Sequence, residues 1–148
     1  MLDENEELLK DQKVINDINS QISGRSTGRL FCVVYVRGFQ HKVTAGDLVM
    51  VQSDMGAPMG SKIVLEKVLL VGSKDFSLIG RPILPDGLVR VEATVLEKTL
   101  SRTKIVQYFK KREQYRKIKF SRTKWTLLRI NDISFGCLVG ETPPGDCV

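Results

Sequence analysis

Eleven lysines and arginines stand between Lys98 and Lys124, at positions 98, 102, 104, 110, 111, 112, 116, 117, 119, 122 and 124, against a single acid, Glu113. The segment carries +10 over 27 residues of a chain whose formal charge is +6, which leaves −4 for everything else. The positive charge is therefore a local device. Cations of this density release counterions from phosphates, and the interleaved Tyr108, Phe109, Tyr115 and Phe120, with Trp125 just beyond, offer planar faces to bases. That chemistry fits RNA. A lysine-rich strand pair can also serve as a solvated, aggregation-resistant edge, although edge protection rarely needs so one-sided a charge.

Catalytic chemistry finds little support. The chain has one histidine, His41, with neither a nucleophile elbow nor a phosphate loop to accompany it. His41 is either a ring for a base to stack on or an ordinary surface histidine in a Gly-Phe-Gln-His turn. Asp47 and Asp54 flank an expected strand without a second carboxylate nearby, and read as turn and loop residues. Three cysteines, Cys32, Cys137 and Cys147, are too few and too dispersed for a disulfide framework or a zinc site. No catalytic residue, metal or cofactor is expected, and a reducing compartment is the simpler inference. Cys32 falls in a strand-like run and should behave as a small buried apolar residue. The other two fall in a Gly/Pro-rich tail and should be loose thiols.

The elements that must position the cations follow from pattern and punctuation. A chain of 148 residues, 42% hydrophobic, fits one domain with a substantial core. No apolar run approaches the roughly 20 residues needed to cross a bilayer. The first residues, with Asp3, Glu4, Glu6 and Glu7, lack the cationic character of a targeting signal; either the protein works where it is made or a presequence has been removed. Residues 1–24 read as an acidic helical extension in which Leu8, Ile15, Ile18 and Ile22 share one face. Acids in its first turns suit the helix dipole, and Gly24 is a plausible stop. So narrow a stripe needs a surface to lie on, its own domain or another protein.

From Arg29 to Asn131 the signals are those of strands. Leu30–Val36 is a near-continuous apolar run, Ala45-Gly46-Asp47 is turn chemistry before Leu48–Gln52, and Pro85-Asp86-Gly87 is another turn. Val89, Val91, Ala93 and Val95 alternate with polar residues, as in a half-buried strand. The expected fold is all-β: a small antiparallel barrel or sandwich of about six strands over residues 29–131, with the N-terminal helix and a C-terminal tail over 132–148. A basic hairpin over 104–126, with a long loop from Lys110 to Lys124, should project from this body. Such a loop is expected to be mobile alone and ordered on a polyanion.

The order of several short motifs resembles ribosomal protein twenty-one of the bacterial-type large subunit, over about Arg29 to Ile130. The motifs are Arg37-Gly38-Phe39-Gln40-His41-Lys42-Val43, Gly46-Asp47-Leu48-Val49, Lys67 to Gly72, Ile79-Gly80-Arg81-Pro82, the run Lys110 through Lys117, and Arg122-Thr123-Lys124-Trp125-Thr126. Phe39 stands where the family has a lysine, and Phe120-Ser121 where it has a Gly-His pair, so contacts at those points do not carry over. The phrases Leu88 to Val95 and Leu128 to Asn131, with the extra helix and tail, are similar to the animal mitochondrial branch. The resemblance implies a non-enzymatic β-barrel in the mitochondrial matrix, a structural constituent of the large ribosomal subunit whose basic hairpin enters ribosomal RNA.

On this reading Lys104, Lys110, Lys111 and Arg112, with Arg116, Lys117, Lys119, Arg122 and Lys124, neutralise phosphates. Tyr115, Phe120 and Trp125 stack or buttress, and Arg37, Gln40 and Lys42 make a secondary contact. The partners are large-subunit ribosomal RNA and neighbouring ribosomal proteins, met by the Leu8, Ile15, Ile18, Ile22 stripe; no stable homo-oligomer and no membrane are expected. The alternative from another class is a protein-interaction module whose basic hairpin binds an acidic partner or an anionic membrane.

Overall fold

The computed structural model describes residues 4–140. One helix, α1 (Glu4–Ser23), precedes ten strands: β1 (Phe31–Val36), β2 (Phe39–Thr44), β3 (Leu48–Val51), β4 (Lys62–Leu65), β5 (Val68–Gly72), β6 (Ser77–Ile79), β7 (Val89–Leu100), β8 (Lys104–Lys110), β9 (Tyr115–Ser121) and β10 (Lys124–Phe135). Two four-stranded antiparallel sheets, β2-β1-β5-β6 and β3-β10-β7-β4, share one core, and β8 and β9 form a separate two-stranded ribbon. The body thus has eight strands against about six expected; among the additions is β2, which covers the Phe39-Gln40-His41 stretch that reads as a turn in the sequence.

Inward positions recur every second residue, as a pleated strand requires. Cys32, Val34 and Val36 of β1 meet Val91, Ala93 and Val95 of β7 and Leu128 and Ile130 of β10 in a single buried cluster. The sheets are stitched where β2 turns into β3: Gly46 N donates to Ile130 O at 2.8 Å, and Ile130 N donates to Asp47 O at 2.8 Å. Asp47 holds that corner, its carboxylate accepting from Thr44 N and Thr44 Oγ1, both at 2.8 Å. These bonds keep its carboxyl below the ordinary value of 3.8. The β1–β2 connection is a two-residue hairpin turn in which Arg37 and Gly38 have φ of 49° and 92°, the twist that suits antiparallel strands.

β10 runs through the boundary expected at residue 131. A register shift between Ile130 and Asp132 breaks the alternation there, so the strand's last residues do not look like a continuation in sequence. Beyond it Cys137 and Val139 pack on the core. Cys137 is accordingly half-buried rather than the loose thiol expected, while Cys147 lies outside the described residues. Cys32 is fully buried, and burial pushes its thiol up to about 12.

The helical stripe is divided. Leu8 and Ile15 are exposed, at 59% and 38%, whereas Ile18 and Ile22 are half-buried. Between the latter two, Asn19 forms a reciprocal pair with the chain after β10: its Nδ2 donates to Val139 O at 3.1 Å and its Oδ1 accepts from Val139 N at 2.9 Å. The last turns of α1 are therefore fastened to their own domain, and its earlier apolar residues are left to solvent.

Candidate nucleic-acid interface

The basic segment is a ribbon with a short tip. β8 and β9 pair from Lys104↔Ser121 to Lys110↔Tyr115, leaving Lys111 to Gln114 as the turn. The fifteen-residue loop expected after Lys110 is thus mostly strand. Its strand character escapes a reading by burial pattern because every residue of both strands is exposed. The turn is also unannounced, since Arg112 and Gln114 adopt left-handed φ of 65° and 51° with neither glycine nor asparagine present.

Register sorts the ribbon's side chains onto two chemically different faces. Residues directly opposite one another point the same way, so Lys104, Val106, Tyr108 and Lys110 share a face with Tyr115, Lys117, Lys119 and Ser121. Ile105, Gln107 and Phe109 share the other with Arg116, Ile118 and Phe120. One face is cationic and carries tyrosines; the other is apolar, with Ile105, Phe109 and Phe120 each about two-thirds exposed. On the first, Lys119 Nζ lies 5.7 Å from the centre of the Tyr108 ring and Lys110 Nζ 5.9 Å from that of Tyr115. A ring face attracts an ammonium without neutralising it, so Lys119, which makes no ion pair among the described residues, keeps its charge for a phosphate.

The expected site residues separate accordingly. Lys104, Lys111, Arg112, Arg116, Lys117 and Lys119 make no ion pair among the described residues. Lys110 pairs with Glu113 at 3.1 Å at the exposed tip, a contact of little strength. Tyr115 belongs to the cationic face and Phe120 to the apolar one, so the two rings do not act on one surface. Arg122 donates from Nε to Thr103 Oγ1 at 2.8 Å and helps to form the neck. Trp125 is half-buried at the neck with an indole nitrogen that makes no hydrogen bond within the protein.

Lys124 is not a free cation. Its Nζ lies 3.1 Å from Asp54 Oδ2, and Lys98 Nζ lies 3.1 Å from Asp54 Oδ1. The Lys98 ammonium, and after it that of Lys124, hold the Asp54 carboxyl below the ordinary 3.8. Asp54 and Lys98 were outside the expected site. Lys124 stands 70 positions from Asp54 in the chain, and no local pattern joins the three residues.

The first turn is only partly brought to the neck. Arg37 and Gly38 line an open groove with Met55, whose carbonyl accepts from Lys98 Nζ. Gln40 and Lys42 are exposed on β2, and Lys42 Nζ sits 4.8 Å over the Phe31 ring at the far end of β1. His41 lies opposite the buried Val34, with Nε2 enclosed and without a hydrogen bond. The ring is half-buried against the body.

The chain is similar to known proteins over most of its length. The model of the family described as "Ribosomal prokaryotic L21 protein" matches residues 30–133. The mouse "Large ribosomal subunit protein bL21m" is 46% identical over 128 residues, 86% of this chain and 61% of the relative. An Arabidopsis thaliana protein of the same name is 38% identical over 104 residues, 70% of this chain and 38% of the relative. "Large ribosomal subunit protein bL21" of Paramagnetospirillum magneticum is 35% identical over 107 residues, 72% of this chain and 100% of the relative. The chain therefore spans about three-fifths of the mouse protein's length, and the bacterial protein falls entirely within it.

Proposed function

We propose the function from one premise: the chain belongs to the ribosomal prokaryotic L21 protein family. It acts as a structural constituent of the mitochondrial large ribosomal subunit, in the matrix, and has no catalytic role. Its ribbon lies on ribosomal RNA. The observation that carries this reading is the sorting of charge: lysines and two tyrosines occupy one face of a ribbon that the body does not cover. Lysines spaced along a pleated face match a phosphate backbone, and rings between them suit unpaired bases. The mitochondrial assignment is supported by relatives named bL21m in mouse, Arabidopsis and Dictyostelium.

Arg37, beside the neck, extends the contact, and the free cations of the ribbon supply most of it. Gln40 and Lys42 contribute only where RNA reaches the outer surface of β2. The exposed Leu8 and Ile15 of α1 meet a neighbouring ribosomal protein. An anionic membrane or an acidic protein would also be attracted by the lysines, and the apolar ribbon face would suit a membrane interface. Competition separates these readings. At fixed salt, a transcript of large-subunit ribosomal RNA should displace anionic liposomes and acidic peptides from the full chain; displacement in the opposite order would refute the ribosomal role.

A further inference from the structure

We infer that Asp54 is a positioning residue for the ribbon: its carboxylate ties Lys98 to Lys124 at the neck, so that the loop after β3 sets the direction in which the cationic face leaves the body. The inference rests on the RNA-binding reading of that face.

Every residue of β8 and β9 is exposed, and among the described residues the ribbon shares no sheet with the body. The ribbon's direction must therefore be fixed where it joins β7 and β10. That junction is irregular. Leu100 pairs with Lys124 and Lys104 with Ser121, so three residues on the ascending strand oppose two on the descending one. An extra residue of this kind bends a ribbon and raises its twist. The bonds within the junction, Ser101 N to Thr123 O at 2.8 Å and Thr123 N to Ser101 Oγ at 2.9 Å, close it without tying it to the body.

Asp54 supplies that tie. Each of its oxygens takes one ammonium at 3.1 Å, Lys98 from the end of β7 and Lys124 from the start of β10. The loop that carries it is itself held. Thr126 Oγ1, fully buried, donates to Ser53 O at 2.7 Å and accepts from Met55 N at 3.4 Å. Further along, Gly60 N donates to Val95 O at 2.7 Å and Val95 N to Ser61 O at 3.0 Å. The carboxylate is thus placed from both sides over the two strands that feed the ribbon.

The sign of its charge argues for geometry rather than attraction. A carboxylate beside a +10 segment opposes phosphate binding through the general field, and it occupies two lysines that could otherwise meet RNA. Exposed ion pairs add little to fold stability. Leverage is a different matter, because seven residues of strand extend about 24 Å and a swing of about 10° at the neck moves the tip by about 4 Å. That distance exceeds the tolerance of a hydrogen bond to a phosphate oxygen.

Residual dipolar couplings of backbone amides in the full chain, with RNA affinity measured in parallel, test the inference. In the unaltered protein, ribbon and body amides should fit one alignment tensor. In Asp54→Asn the ribbon couplings should shrink relative to those of the body, with the melting temperature unchanged, and Asp54→Glu should restore part of the loss. Lys98→Gln with Lys124→Gln should loosen the ribbon in the same way from the other side of the clamp. Affinity for a large-subunit ribosomal RNA transcript should fall several-fold in Asp54→Asn, although the protein sheds a negative charge. Unchanged ribbon couplings in Asp54→Asn, or tighter RNA binding by it, would overturn the positioning role. Failure of the unaltered chain to bind RNA would instead refute the binding reading, with the couplings still deciding whether Asp54 orients the ribbon.

Discussion

Single side chains in this protein are sorted by whether the strand pleat turns them in or out. Cys32 and Cys137 illustrate the consequence, since the first is sealed between sheets and the second is half-buried on the chain leaving β10. Only the thiolate attacks an electrophile, and a thiol pushed up to about 12 is almost wholly protonated at neutral pH. Alkylation followed by mass spectrometry should therefore modify Cys137 well before Cys32 in the folded chain. Equal rates would mean that the core opens on the timescale of labelling. Asp47 and Asp54 show how far residue type alone can be read: both were expected in turn or loop, and both are there. What each holds was visible for neither. Asp47 closes on Thr44, three residues away, but Asp54 reaches Lys98 and Lys124, which become its neighbours only after two sheets have formed.

At the scale of elements, legibility follows the same division between local and distant causes. Alternation of Val89, Val91, Ala93 and Val95 announces β7 because burial on one face selects apolar residues at every second position. The ribbon has no buried face, so selection for core packing leaves no period in it, and β9 reads as loop, whereas Ile105, Val106, Tyr108 and Phe109 mark β8 by residue type. Its two faces could be recovered from sequence only by knowing the turn, and Lys111 to Gln114 has no glycine or proline to mark one. The helix was legible as a helix, but not the place where it is fastened. Asn19 makes two hydrogen bonds to Val139, and a net contribution of about 0.5–1.5 kcal/mol for each gives about 1–3 kcal/mol for Asn19→Ala. Hydrogen exchange at the Val139 amide should accelerate accordingly. Leu8→Asp with Ile15→Asp, by contrast, should leave the melting temperature of the free chain unchanged while weakening its incorporation into the large subunit. A drop in melting temperature for that pair would place the stripe within the chain's own core.

The whole molecule has two ends of different chemistry. β10 begins at the neck with Lys124 and finishes at Phe135, four residues before the helix anchor at Val139. Twelve residues of strand set the ribbon and the helix attachment about 40 Å apart along β10. A protein so built can hold RNA at one end and a neighbouring protein at the other, with the eight-stranded body keeping the distance between them. The charge distribution agrees, since the body and helix together are acidic and the ribbon is strongly basic. The ribbon end carries the central claim, and the salt dependence of RNA binding tests it most directly. Replacing Lys110, Lys111 and Arg112 by Glu should cut affinity for a large-subunit ribosomal RNA transcript steeply. Every phosphate that is no longer neutralised takes about 0.7–0.9 from the slope of log affinity against log salt, so freeing two or three phosphates should flatten it by about 1.4–2.7. A variant that kept both the affinity and the slope of the unaltered chain would contradict the account.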